Sequence, residues 1–404
     1  MNMQVGGDWI SNLIWILFFI LMAFLYPRMM FSQMLWKLDQ TLQAISRLTS
    51  SSKRMVLRKI PNGSSKKVRN ALNNFLEFFV IQPVSLDPFG IIRKFEHLLL
   101  LAEKRFKYFV GRIAPELSEE ERQNLIMAIS GTMNLYQIQK NLRHFIEFIK
   151  KTRNLQYALL LQMQLPLLKR ISKALHKGVE AFVNGWSVGD SIGALVAAHL
   201  IGDSPVKEIE EDTLVAEREI EGKRVIIIKA KGPGGRLGKI GRAVEKVLKR
   251  RRVSKIITID AALKLEGERT GSVAQGIGVA IGGIGVDKAY IENLATKYDI
   301  PVDSIIIKMS QEEAIMPMKK EILEACDKVL EMVREDIKET KGRTVLIVGV
   351  GNSCGVGNNK KEAEEAKKRI AEVYEKLKSR EGYFEEEVKK RWYDTFFPGF
   401  VLKK

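Results

Sequence analysis

The chain has 404 residues, with 66 Lys and Arg against 48 Asp and Glu. That length holds an anchor and about two domains of ~100–200 residues each. Residues 1–180 carry 26 basic against 12 acidic side chains and residues 181–404 carry 40 against 36, so the net +18 sits mainly in the first part. No basic face with interleaved aromatics marks a nucleic-acid platform, and no nucleic acid is expected as a partner. Two cysteines without a CxxC and four histidines without an HExxH exclude a disulfide framework and a histidine-based metal centre.

Taken in chain order, Trp9–Tyr26 comes first, an uncharged run of 18 residues. At ~1.5 Å per residue it reaches about 27 Å, close to the ~30 Å hydrocarbon core. No Lys or Arg precedes it, whereas Arg28, Lys37, Arg47, Lys53 and Arg54 follow. The asymmetry predicts a single-pass protein of the cell membrane, N-terminus outside and the bulk of the chain cytoplasmic, with the basic segment facing anionic lipid. A cleaved signal peptide would need a basic start and a small-residue cleavage site, where this chain has Asp8 and Tyr26-Pro27-Arg28. Residues 1–27 are therefore read as the anchor and 28–180 as a helical domain.

Within that domain, Met29–Arg47 keeps helical apolar spacing, a polar break is expected at Ser50–Ser52, and Pro61–Lys67 reads as a linker. Val68–Lys177 reads as helical throughout, with a capping box at Ser118–Glu121 and a buried helix at Leu155–Leu168 kinked near Pro166. Residues 181–358 form an α/β ligand or catalytic domain. Its β-branched runs Val225–Ala230, Lys255–Ala261, Ser304–Met309 and Thr344–Val350 lack polar alternation, as strands buried on both faces do. Helical segments at Gly241–Arg251, Ile291–Tyr298 and Met318–Lys338 separate them, which predicts a mostly parallel sheet with helices on both faces. Residues 359–404 supply a charged helix and an aromatic tail, Trp392–Leu402, expected to dock on a protein partner or on the membrane face.

Chemistry-bearing residues gather in glycine-rich turns. Asp190 lies in Gly189–Gly193 (GDSIG) before an apolar helix, and is either a helix cap or a ligand and acid–base group. Asp260 ends a buried strand, where α/β sheets present functional groups and where a charge needs a partner, a metal or a proton. Converging, Asp190 and Asp260 can hold a divalent metal or share a proton, with Glu266 and Glu268 as supplements. The loop Gly232–Gly241 brings Gly234, Gly235 and Lys239, with Lys231 and Arg236, and reads either as an anion site or as a tight turn. It is no P-loop, since Pro233 and Ile240 stand where that motif needs Gly and Ser/Thr. Gly349–Asn358 (GVGNSCGVGN) adds Gly351, Asn352 and Asn358 as ligand-binding candidates and Cys354 as a thiol without a nearby histidine. The glycine-dense Gly271–Gly285 suggests backbone crowding around a site, or another strand.

Through GDSIG, KGPGG, IDAALKLEGE and GVGNSCGVGN the chain resembles an uncharacterised archaeal family of membrane-anchored proteins, a resemblance that implies architecture and archaeal origin and no reaction. GDSIG before an apolar helix, with a strand ending IDAA, is also similar to hydrogenase-maturation endopeptidases and spore germination proteases. That resemblance implies a doubly wound α/β fold with Asp190 and Asp260 as the functional pair. In those families GxGN precedes the GDxxG turn, so the likeness implies a circular permutation with Thr344–Val350 in the place of the first strand, and Ala194 departs from their usual proline. Two functions follow as expectations. One is a metal- or aspartate-dependent hydrolase of peptidase type. The other is a membrane-tethered sensor or scaffold holding a nucleotide or other phosphate in its glycine-rich loops.

Overall fold

The computed structural model describes residues 8–83, 90–282, 285–380 and 382–384, so the aromatic tail lies outside the described residues. The chain divides into two compact units, residues 1–83 with 97–183 and residues 84–96 with 184–404.

The first unit is helical. Helix α1 (Asp8–Lys59) runs without interruption, so the break expected at Ser50–Ser52 does not occur. The polar side chains there find partners inside the bundle: Ser52 is buried and its hydroxyl meets His176 Nδ1 at 2.9 Å, while the Thr49 hydroxyl donates to the Ile45 carbonyl at 2.9 Å. Helices α2 (Lys66–Phe75), α3 (Ile91–Ile113), α4 (Glu119–Thr152) and α5 (Leu155–Asn184) follow. The expected continuity over 68–177 fails beyond Leu76, where residues 79–83 lack secondary structure. The capping box forms as expected, Ser118 accepting from the Glu121 amide. Pro166 sits inside α5. The reading of Leu155–Leu168 as buried needs correction: Ala158 and Leu165 face inward, but Leu159, Leu160, Met163 and Leu167 are exposed. One stripe is enough to pack the helix, and the rest of its apolar surface stays outward.

The second unit is a three-layer α/β structure. Its strands are β1 (Val206–Glu210), β2 (Thr213–Ile220), β3 (Lys223–Ala230), β4 (Lys255–Leu263), β5 (Val273–Ile277), β6 (Val302–Met309) and β7 (Thr344–Gly349). Among the described residues they form one sheet ordered β1-β2-β3-β7-β4-β6-β5. The central β3, β7, β4 and β6 are parallel, and antiparallel strands close both edges. One face carries α6 (Ile192–Ile201), α10 (Lys320–Glu339) and α11 (Lys360–Lys378). The other carries α7 (Ile240–Leu248) and α8 (Val286–Tyr298), while the short α9 (Gln311–Ile315) follows β6. The continuous Ile/Val runs of β3, β4 and β7 are buried because helices cover them on both sides.

Candidate functional site

The site is built where β7 ends against β4, which itself runs on beside β6 to Leu263, so that Asp260 lies within the strand and not at its end. Ile259 pairs with Gly349 in the last parallel row, and the Val350 amide donates to the Ile259 carbonyl at 2.9 Å. Asp260 is the next residue on β4. The turn Gly189–Ser191 and the first residues of α6 lie directly on this edge, because Gly193 has no side chain. A Cβ there would overlap the Val350 carbonyl oxygen and stand 2.5 Å from that of Ile259. Gly351 meets the Asp190 backbone just as closely, with φ +116°. The glycines flanking Asp190 are thus required by backbone packing: Gly189 is pressed against Glu313 and its amide donates to the Met316 carbonyl at 3.1 Å.

Asp190 is not a helix cap. The cap position of α6 is Ser191, which makes no side-chain capping bond, and Asp190 Oδ2 instead accepts the Asn352 amide at 2.9 Å from a loop 162 residues away. Asp260 is buried, its Oδ1 accepting the Ala261 amide at 2.7 Å and its Oδ2 the Gly282 amide at 3.4 Å. Burial raises the pKa of Asp190, opposed by the Asn352 hydrogen bond. Burial also lifts Asp260 well above the ordinary aspartate range, and the negative charge of Asp190 lifts it further. Burial therefore raises the proton affinity of both carboxyls, and the charge of Asp190 reaches Asp260.

Asn352 meets the pair through its backbone amide, and the other candidates form contacts of their own. Asn352 turns its side chain to the Cys354 amide, which it accepts at 2.8 Å. Asn358 accepts from the Gly232 amide at 2.8 Å and returns a bond to the Gly232 carbonyl at 2.9 Å. The hydroxyl of Ser353 lies 2.7 Å from the Gly234 carbonyl, and the Gly355 amide donates to Pro233. The two glycine loops, Gly232–Gly235 and Gly349–Asn358, are bonded to each other. Their cations are also paired, by acids of the β1–β2 hairpin: Lys231 with Glu208 at 3.0 Å, Arg236 with Asp212 at 2.9 Å, and Lys239 with Glu211. Glu268 is turned to Lys308 and the Leu265 amide. Burial pushes the Cys354 thiol up to about 12, the opposite of an activated nucleophile.

Lys229 escaped the sequence reading. It is fully buried in β3, and its Nζ donates to the carbonyls of Ala230 at 2.8 Å and Gly357 at 3.0 Å and to Asn358 Oδ1 at 3.1 Å. Burial pushes its pKa down to about 7, with Glu362 opposing. Its signal was a lysine inside the apolar run Val225–Ala230, a position that demands internal acceptors.

Fold and site together define a two-part protein: a helical unit bearing one helix long and apolar enough to cross a membrane, and an α/β unit with an acidic pair where β7 ends. The chain belongs to the DUF1512 family. Residues 12–185 match its "Protein of unknown function (DUF1512) N-terminal domain" and residues 188–357 its "Domain of unknown function (DUF1512) C-terminal". No curated protein and no solved structure matches the chain.

Proposed function

We propose that this protein is a single-pass membrane protein whose cytoplasmic α/β unit is a hydrolase of peptidase type, working through Asp190 and Asp260. The observation that carries the reading is the meeting of two charge-coupled carboxyls, from segments far apart in sequence, at the carboxyl edge of the sheet. Two carboxyls whose environments push their affinities for protons apart divide the work of acid and base. Asp190, partly accessible and accepting the Asn352 amide, draws a proton from the attacking water. Asp260, buried and protonated, gives its proton to the leaving amide nitrogen.

A divalent metal is compatible with the same pair. Among the described residues no third His, Cys, Asp or Glu completes a compact ligand set with the two aspartates, so the donor chemistry suits a hard cation that keeps several waters. Such an ion would supply a bound water of lowered pKa. The likeness to the maturation endopeptidases and germination proteases gains support from the central position of β7 and from the bond between its GVGN loop and the GDSIG turn. Both features are what a circular permutation requires. The phosphate-sensor reading has less support, because its loops would have to open three ion pairs and their mutual hydrogen bonds before meeting a ligand.

The test uses the full chain in lipid nanodiscs. Asp190→Asn and Asp260→Asn each should abolish hydrolysis of a peptide library, with the circular dichroism of the native fold retained. Retained hydrolysis in either variant ends the proposal. Thermal stabilisation by nucleotides, without any effect of divalent metals, would move the reading to the sensor.

A further inference from the structure

We infer that the α4–α5 hairpin is a second membrane contact, a peripheral element that seats in the headgroup layer of an anionic bilayer beside the exit of α1. The inference rests on the reading of α1 as an anchor and adds a surface that the reading does not contain.

From Trp9 to Trp36 the only charged side chain is Arg28, whose long stem lets its guanidinium reach the headgroups from within α1. Over that stretch α1 rises about 40 Å at ~1.5 Å per residue, the thickness of a bilayer with its headgroups. Trp36 is 61% exposed and marks the inner boundary as an interfacial tryptophan does. Two ion pairs then fix what lies at that level. Lys59 meets Glu121 at 2.7 Å and Asp39 meets Lys150 at 3.3 Å, so α4 runs antiparallel to α1 and ends beside the residues around Trp36. Met34 and Leu38 of α1 share a buried cluster with Ile146, Ile149, Ala158 and Leu165 of the hairpin.

The outer surface of the hairpin has the composition of an interfacial element. Tyr157, Leu160, Met163 and Leu167 recur at helical spacing on α5 and are exposed, Met163 to 76%. Phe148 of α4, also exposed, continues the stripe through an edge-to-face contact with Tyr157 at 5.5 Å between ring centroids. Around the turn stand Lys150, Lys151 and Arg153, with Lys169 and Arg170 further along α5. An apolar stripe rimmed by cations, held level with the end of a membrane span, is complementary to anionic headgroups over acyl chains.

The experiment uses the full-length protein in vesicles of phosphatidylcholine with phosphatidylserine, and of phosphatidylcholine alone. A bimane label is placed at Met163→Cys or, separately, at Phe18→Cys in α1; native Cys326 and Cys354 are buried. Nitroxide-bearing lipid should quench the Phe18→Cys label in both vesicles and the Met163→Cys label at least about twofold more with phosphatidylserine present. Adding Lys151→Glu and Arg153→Asn, the latter suited to the left-handed turn at that position, should remove the phosphatidylserine effect at position 163 only. Quenching at position 18 without quenching at 163 overturns the inference and leaves the anchor standing. Loss of both overturns the anchor reading with it. A label at 163 shielded from aqueous iodide yet untouched by lipid nitroxide assigns the stripe to a second copy of the chain and also overturns the inference.

Discussion

At Gly193, Gly232 and Gly351 a Cβ would run into backbone: the carbonyls of Val350 and Ile259, of Val356, and of Asp190. At Gly276 and Gly282 a Cβ would meet nothing within 4 Å, and neither residue has a positive φ. Both groups belong to stretches that are equally glycine-rich as sequence. At the strand ends glycine permits loops from distant parts of the chain to touch. In the segment from β5 toward α8 the glycines leave open space beside their Cα atoms, while the Gly278 amide donates to the Val302 carbonyl at 2.9 Å and the Gly282 amide to Asp260. Glycine density therefore reports close approach in one stretch and has no packing cause at Gly276 or Gly282 in the other.

Substitutions can break or sharpen this comparison. Gly193→Ala should have the largest effect, a loss of about 3 kcal/mol or more in urea unfolding, since rigid backbone on both sides cannot yield. Lys229→Met should cost about 2 kcal/mol in the same measurement, because it strips the donor from three buried oxygens while removing a buried charge. Asp260→Asn works in the opposite direction and depends on pH. The carboxyl pKa is raised in the fold above 3.8, so as the pH climbs past about 4 the unfolded chain sheds its proton first and the native state loses relative stability. Relative to the parent, the variant should gain stability as the pH rises from about 3.5 to about 8 in thermal unfolding. A constant difference across that range would mean that Asp260 is not held protonated. The smallest effect, within about 0.5–1 kcal/mol and of either sign, is expected for Gly276→Ala. A loss there as large as at Gly193 would erase the distinction between the two stretches.

Much of the sheet was legible because β3, β4, β6 and β7 are β-branched runs, and burial on both faces leaves that mark. Of the edge strands, β5 lies within Gly271–Gly285, where another strand was one of two readings, and β1 and β2 were not legible. β1 and β2 read Val206-Lys-Glu-Ile-Glu and Thr213-Leu-Val-Ala-Glu-Arg-Glu-Ile, where outward charges hide the strand, and β5 spends one of its five positions on Gly276. The aspartates were found through residue type and position at a turn and near a strand end. The partners of the loops were not, because bonds such as Gly232 to Asn358 and Lys229 to Gly357 join residues more than a hundred positions apart. Nor could spacing show that the first half of α5 leaves much of its apolar surface outward, since a run of leucines looks the same whether a neighbour covers one side or all.

The place of β7 bears on how the protein is made. The strand lies between β3 and β4, yet it is the last of the seven along the chain. While a ribosome is still short of Thr344, the nascent sheet is two separate ribbons with unsatisfied inner edges, and the amide that holds Asp190 has not been synthesised. A prematurely terminated product lacking that strand would therefore carry both aspartates without the seam that brings them together.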